Sequence, residues 1–469
     1  MMPPTVDLLR RVVESADSQY SEARYHCRRS VDVRVVKGEL EEAKSEQYSG
    51  VGFRVLADGA WGFTSTSKTS PWDLERATGD AVSMARTSAV AKRKRVAGLA
   101  EARLAVGRFQ PPIDGPLEEH GVEEKVQLVV AAEKRARERS SVIASASCHY
   151  DEMLDHKLIV TSDGAEAEVF DSKPEFIVTA VASRGGEIAS AYRSLAVTGG
   201  WKDLFREKKP EDISDEAAAL ALKLIDCKRP RGERTTVVLD PGMVGQISHE
   251  AVGHTVEADF VLSGSVAKDR IGSRVASDLV TLVDSGPSHI APHGAGTVLV
   301  DDEGVLAQTT TVIERGVLVS YLHNRETAEI FGVSPTGNAR AFEYPDDPMI
   351  RMRNTLIEPG DLSFEEIIEE VRHGYLLKGP TGGQADANGE FMFGAQEAYL
   401  IEKGEVVDLF REVAISGQAF EILRGVDALS RDFRYDLGAG YCGKLQAAKV
   451  DAGGPFLRCQ AIVGGLHGG

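Results

Sequence analysis

Long apolar runs are missing from this 469-residue chain. No stretch of about 18 consecutive apolar residues occurs, which excludes a transmembrane helix. The opening segment, MMPPTVDLLRRVVESA, is not read as a secretory signal, because Asp7, Arg10 and Arg11 interrupt any apolar core. Cysteine is scarce: Cys27, Cys148, Cys227, Cys442 and Cys459 are five in number and scattered. That excludes a disulfide scaffold and makes a reducing cytoplasm the simplest compartment. An excess of positive charge is also absent, since 54 Lys+Arg stand against 72 Asp+Glu for a net −18 at pH 7. The balance argues against broad nucleic-acid binding and against an anionic membrane surface. The basic run Lys92-Arg93-Lys94-Arg95 reads as a solvated loop in so acidic a chain.

What is present is an ordinary globular composition, with 42% hydrophobic and 27% charged residues. Glycine, at 47 residues, predicts many tight turns. Leu8, Leu9, Val12, Val13 and Ala16 recur at helical spacing. Val31, Val33 and Val35 alternate with Asp32 and Arg34, which predicts a half-buried strand. Turns are expected at Lys37-Gly38, Asp58-Gly59, Asp163-Gly164 and Gly185-Gly186. Helices are expected over 73–90, 122–139 and 213–226, and strands over 156–198. The polar stretch Lys228-Arg229-Pro230-Arg231-Gly232 breaks the periodicity. It divides the chain into an N-terminal domain, 1–230, and a strand-rich C-terminal domain, 231–469. The second half opens with a strand from Thr235 to Leu239, followed by Asp240-Pro241 as N-cap and first residue of a helix through His254. Strands and Gly turns are then expected to about residue 345, and Ser363 with Glu366 forms a capping box. Strands that do not alternate regularly with helices favour an α+β fold with largely antiparallel sheets.

The chemistry concentrates at His249-Glu250-Ala251-Val252-Gly253-His254. Two His and a Glu on one helix suit a metallopeptidase, with the His as ligands and the Glu as general base. The usual spacing is HExxH, and this is HExxxH. Five residues of α-helix turn roughly 500°, leaving the second imidazole about 140° from the first. The metal reading therefore requires a π-type widening over 249–254, with Gly253 the residue best able to absorb it. Glu257, three residues on, is placed to hold the far nitrogen of His254. A catalytic zinc needs a third protein ligand, and Glu, Asp, His or Cys could serve. Cys442 stands out in the glycine-rich run Gly438-Ala-Gly-Tyr-Cys-Gly-Lys444, where a close approach to metal is feasible and Lys444 could favour a thiolate. His289, His293 and His323, as lone residues, read as structural.

HEAVGHTVEADF (249–260) resembles the metal motif of the TldD branch of the TldD/PmbA metallopeptidases. Ser334-Pro-Thr-Gly-Asn338 is similar to that family's PTGN segment, and the run through Met352-Arg353-Asn354-Thr355 to its RxxNT-like strand. Gly382-Gly-Gln384, Glu397-Ala-Tyr399 and Cys442-Gly-Lys444 match its GGQ, EAY and CGK segments. The resemblance implies a zinc site formed by His249, His254 and Cys442, with Glu250 as general base. It implies hydrolysis of short or unfolded peptides. It further implies a heterodimer with a PmbA/TldE-like subunit that lacks the motif, or else a homodimer. Arg353 and Asn354 are candidates for holding the peptide, with a structural ion pair as the alternative for Arg353. Two other classes remain open: a cysteine peptidase built on Cys442, and a non-catalytic scaffold or partner subunit.

Overall fold

The computed structural model describes residues 3–92, 94–288, 290 and 292–465. His289 and Arg93 lie outside the described residues.

The N-terminal half is built around one seven-stranded sheet. Its long strands, Tyr20–Val36, Glu39–Ala57, Ile143–Thr161 and Glu166–Arg184, pair antiparallel. The predicted turns join neighbouring strands, Lys37-Gly38 the first two and Asp58-Gly59 the second to Ala60–Thr66. Lys37 and Gly38 have φ of 52° and 82°, and Asp58 and Gly59 have 51° and 74°, the successive left-handed residues that a two-residue hairpin with right-handed strand twist demands. The strand expected from residue 156 begins earlier, at Ile143. Helices Pro71–Ala91, Val122–Arg137 and Pro210–Leu224 match the compositional expectation and bury their apolar stripes. Thr5 caps a further amphipathic helix, Val6–Glu14.

The C-terminal half carries two larger sheets. In one, Glu233–Leu239 runs parallel to His373–Ala385 and antiparallel to Leu457–Gly465. The other contains Leu282–Ser285, Asn354–Ile357 and Asp451–Gly454. The fold is α+β. Segment 263–345 is less regular than expected: short strands are separated by long irregular stretches, and a helix, Arg325–Phe331, is capped by Asn324.

The motif helix leaves the strand Glu233–Leu239 and lies between the two C-terminal sheets. One continuous core joins Val237 and Leu239, helix residues Met243, Val244, Ile247, Ala251 and Val252, and Leu282 and Ile357 of the second sheet. Gly245 lets the helix touch the strand beneath, because a Cβ there would sit 2.8 Å from the Ala452 backbone.

Candidate metal centre

Asp240 begins the motif helix as predicted. Its Oδ1 accepts the Met243 N–H at 2.9 Å, and Oδ2 accepts the Gly379 N–H at 3.1 Å. The first turns, Pro241–Gln246, are α-helical, and Ile247–Gly253 is π-helical. The His254 N–H donates to the His249 carbonyl, five residues back. This i→i+5 bond joins the two motif histidines and removes the angular mismatch that the HExxxH spacing creates. Their ring centroids lie 5.1 Å apart, at 74° between planes.

Gly253 has a different role from the expected one. Its backbone is ordinary right-handed helix, with φ −55° and ψ −49°. A Cβ there would fall 2.0 Å from Met352 Sδ. Glycine is required by the packing of Met352 and not by unusual torsions.

Cys442 arrives on a short hairpin, Tyr441–Cys442 paired with Ala448–Lys449. Its Sγ lies 3.3 Å from His254 Nε2. Ligand atoms of His249, His254 and Cys442 all lie within 4.8 Å of one another, and no other group of three or more His, Cys, Asp or Glu converges this way among the described residues. Glu250 stands beside the histidines, its oxygens 4.0 Å from His249 Nε2 and 3.8 Å from His254 Nε2. It is the most exposed of the four side chains, at 35%.

The surroundings fix these groups. Glu257, fully buried, holds His254 Nδ1 at 2.8 Å through Oε2. Lys444 donates to Glu257 at 3.1 Å, to Asp259 at 2.7 Å and to the Ile350 carbonyl at 3.1 Å. Lys444 therefore steadies Glu257, and the expectation that it acts on the thiol is corrected. What lowers the thiol is the imidazole pair: burial pushes Cys442 up, but His249 and His254 outweigh it and bring it to about 4. Burial pushes His254 down, while Glu257 and Cys442 outweigh it and raise it to about 10. Burial also opposes ionisation of Glu257, and His254 and Lys444 overcome it.

The residues fit a soft divalent cation. His249 is 4% exposed, and neither ring nitrogen has a hydrogen-bond partner among the described residues. An unsatisfied buried polar group costs about 1–3 kcal/mol, and a cation bound by the imidazole relieves that cost. Two imidazoles and a thiolate form a donor set suited to zinc.

Arg353 and Asn354 do not meet the expectation that they hold substrate. Both are fully buried. Arg353 donates through Nε to Asp284 Oδ1 at 2.7 Å and through Nη1 to the Thr336 and Gly337 carbonyls. Asn354 bonds Gly296, Gly286 and Thr297. Asp284, which sequence reasoning missed, also receives Asn338 and Thr355. The alternative reading of Arg353, a structural ion pair, is the one observed. Arg351 was missed as well, although it opens the RxxNT pattern. Its guanidinium donates to the carbonyls of Cys442 at 2.7 Å, Gln446 at 2.5 Å and Lys444 at 3.2 Å. One buried side chain thus clamps the loop that presents the thiol. His323 is buried against Thr327 and His293 faces Thr198, both remote from the motif in their contacts.

The motif helix thus carries two histidines and an acid beside the Cys442 thiol, a candidate metal centre. The chain matches the models of PmbA/TldA metallopeptidase domain 1 over residues 21–85, the central domain over 115–225 and the C-terminal domain over 232–462. A metalloprotease of Methanothermobacter thermautotrophicus is 36% identical over 459 residues, covering 95% of this chain and 96% of that protein. A protein of Saccharolobus solfataricus named as a zinc metalloprotease TldD homolog is 32% identical over 349 residues, covering 73% and 76%. The chain belongs to the TldD/PmbA metallopeptidase family. Its fold is similar to that of TldE from Thermococcus kodakarensis, with a TM-score of 0.77 at 19% identity over 98% of this chain and 99% of the other.

Proposed function

We propose that this protein is a zinc-dependent peptidase acting on short or unfolded peptides, with His249, His254 and Cys442 as metal ligands and Glu250 as general base. The observation that carries the reading is the π-helical turn, which brings both histidines to one Cys442 thiol despite the HExxxH spacing. The name of the Saccharolobus relative supports zinc and proteolysis. Zinc held by these three residues supplies Lewis acidity for activating water and the scissile carbonyl. Glu250, the accessible carboxylate, takes the proton from the attacking water and delivers it to the leaving amine nitrogen. Glu257 holds the Nδ1 proton of His254 and so fixes which ring nitrogen faces the ligand cluster. Lys444 keeps Glu257 charged and in place.

The likeness to TldE supports a TldE-like partner subunit, with a second copy of this chain as the other possibility. Among the described residues, no helix is long and apolar enough to cross a membrane. A cytoplasmic setting suits the free thiol at the centre.

The Cys442–His254 approach of 3.3 Å also favours a second reading, a thiol peptidase with Cys442 as nucleophile. Chelation separates the two. Peptide cleavage that stops with chelator and returns with zinc supports the metal reading; cleavage that survives chelation and stops on thiol alkylation supports the other.

A further inference from the structure

The geometry points to a second binding site, for one small oxyanion such as a carboxylate or phosphate group, in a cavity behind the Cys442 hairpin with Arg340 as its principal contact. The cavity has a volume of about 60 Å³. A water needs roughly 10–15 Å³ of such space, so it holds about four to six waters or one oxyanion of comparable size. Ala448, the register partner of Cys442, forms part of its wall.

The wall is rich in cations, and all but one have a carboxylate. Arg28 forms two bonds with Asp155, at 2.7 and 2.8 Å. Lys157 is 2.8 Å from Asp302, and Lys173 is 3.2 Å from Asp171. Lys449 is paired with Glu175, outside the wall. Arg340 has no carboxylate within ion-pair distance among the described residues. It donates only to two backbone carbonyls, Met352 at 2.6 Å and Lys449 at 2.7 Å. A guanidinium carries five N–H donors, so three have no acceptor among the described residues. Burial, reinforced by the neighbouring Arg351, lowers its hold on its proton to about 10, against the weaker opposing pull of the more distant Asp302, Asp171 and Asp284. A planar fork of free N–H groups matches the paired oxygens of a carboxylate or phosphate. The wall carboxylates are already engaged, so an entering anion meets matched pairs plus one unmatched positive charge.

The test uses the full-length protein. Calorimetric titration with inorganic phosphate and, separately, acetate, at fixed ionic strength, is run on wild type, Arg340→Met and Arg340→Lys. Binding in wild type that is about tenfold or more weaker in Arg340→Met is expected. Phosphate alone binding identifies an inorganic or phosphorylated source, and acetate alone a carboxylate-bearing one; either supports the site. If Arg340→Met fails to fold, Arg340→Lys decides, because lysine keeps the charge but loses the fork, and binding weaker than wild type is expected. Crystals grown in selenate should show its anomalous peak within hydrogen-bond distance of Arg340. No binding of either anion, equal binding in the folded variants, or only water in the cavity with selenate present overturns the proposal.

Discussion

Glu257→Gln isolates the contact behind the metal ligands. The amide is nearly isosteric with the carboxylate, so packing is kept. Its oxygen can still accept from His254 Nδ1, now at 2.8 Å from Oε2, but the charge is lost. Lys444 then retains Asp259 at 2.7 Å and the Ile350 carbonyl at 3.1 Å. Enough partners remain for Lys444 that the fold is expected to survive, with Tm lowered by a few degrees. The effect on zinc is larger, because a charged hydrogen-bond partner makes the ligating imidazole more basic and fixes its orientation. Losing such a partner weakens metal affinity by about 10- to 100-fold, or roughly 1.4–2.7 kcal/mol. Competition against a chromophoric chelator at constant pH reads the affinity, and circular dichroism checks the fold. Wild-type affinity in a folded Glu257→Gln protein refutes the reasoning.

Glu250→Gln is expected to keep zinc and lose cleavage by about a hundredfold or more, read by elemental analysis beside a peptide assay. Arg351→Met should release the carbonyls of Cys442, Lys444 and Gln446 and lower zinc content without touching any ligand, read by the same elemental analysis. Gly253→Ala forces a Cβ to within 2.0 Å of Met352 Sδ and should cost about 1–3 kcal/mol in urea unfolding, a loss that shrinks when measured in a Met352→Ala background. Zinc uptake should also depend on pH. In the metal-free protein Cys442 titrates at about 4 and His254 at about 10, so between these values the thiol is ionised and His254 is protonated. Binding must displace that proton, so affinity should tighten as pH rises, by about tenfold per unit for one proton. Titrations at pH 6.5, 7.5 and 8.5 check the slope, and a flat profile contradicts it.

Much of the centre was legible because it is local. On a regular helix the HExxxH spacing turns the two imidazoles apart, so a shared metal required the π turn that Ile247–Gly253 adopts. Glu257 was readable because three residues along the chain bring it to His254. Asp240-Pro241 and the Lys37-Gly38 and Asp58-Gly59 hairpins were readable because capping and left-handed torsions depend on residue type. What stayed hidden depends on distant chain. Arg351 serves backbone carbonyls 91 to 95 residues away, and a backbone acceptor leaves no mark in sequence. Arg353 stood open between peptide contact and structural ion pair because its partner, Asp284, lies 69 residues back and nothing local distinguishes a buried arginine from an exposed one. Gly253 was noticed for torsional freedom, whereas its constraint comes from Met352, across the core.

The most direct measurement is the zinc content of purified wild-type protein beside Cys442→Ala and His254→Ala, by elemental analysis after equilibration with zinc and removal of excess. The account predicts about one zinc per chain in wild type and loss in both variants. Zinc retained at full stoichiometry in either folded variant, or none taken up by wild type, contradicts a centre made by His249, His254 and Cys442.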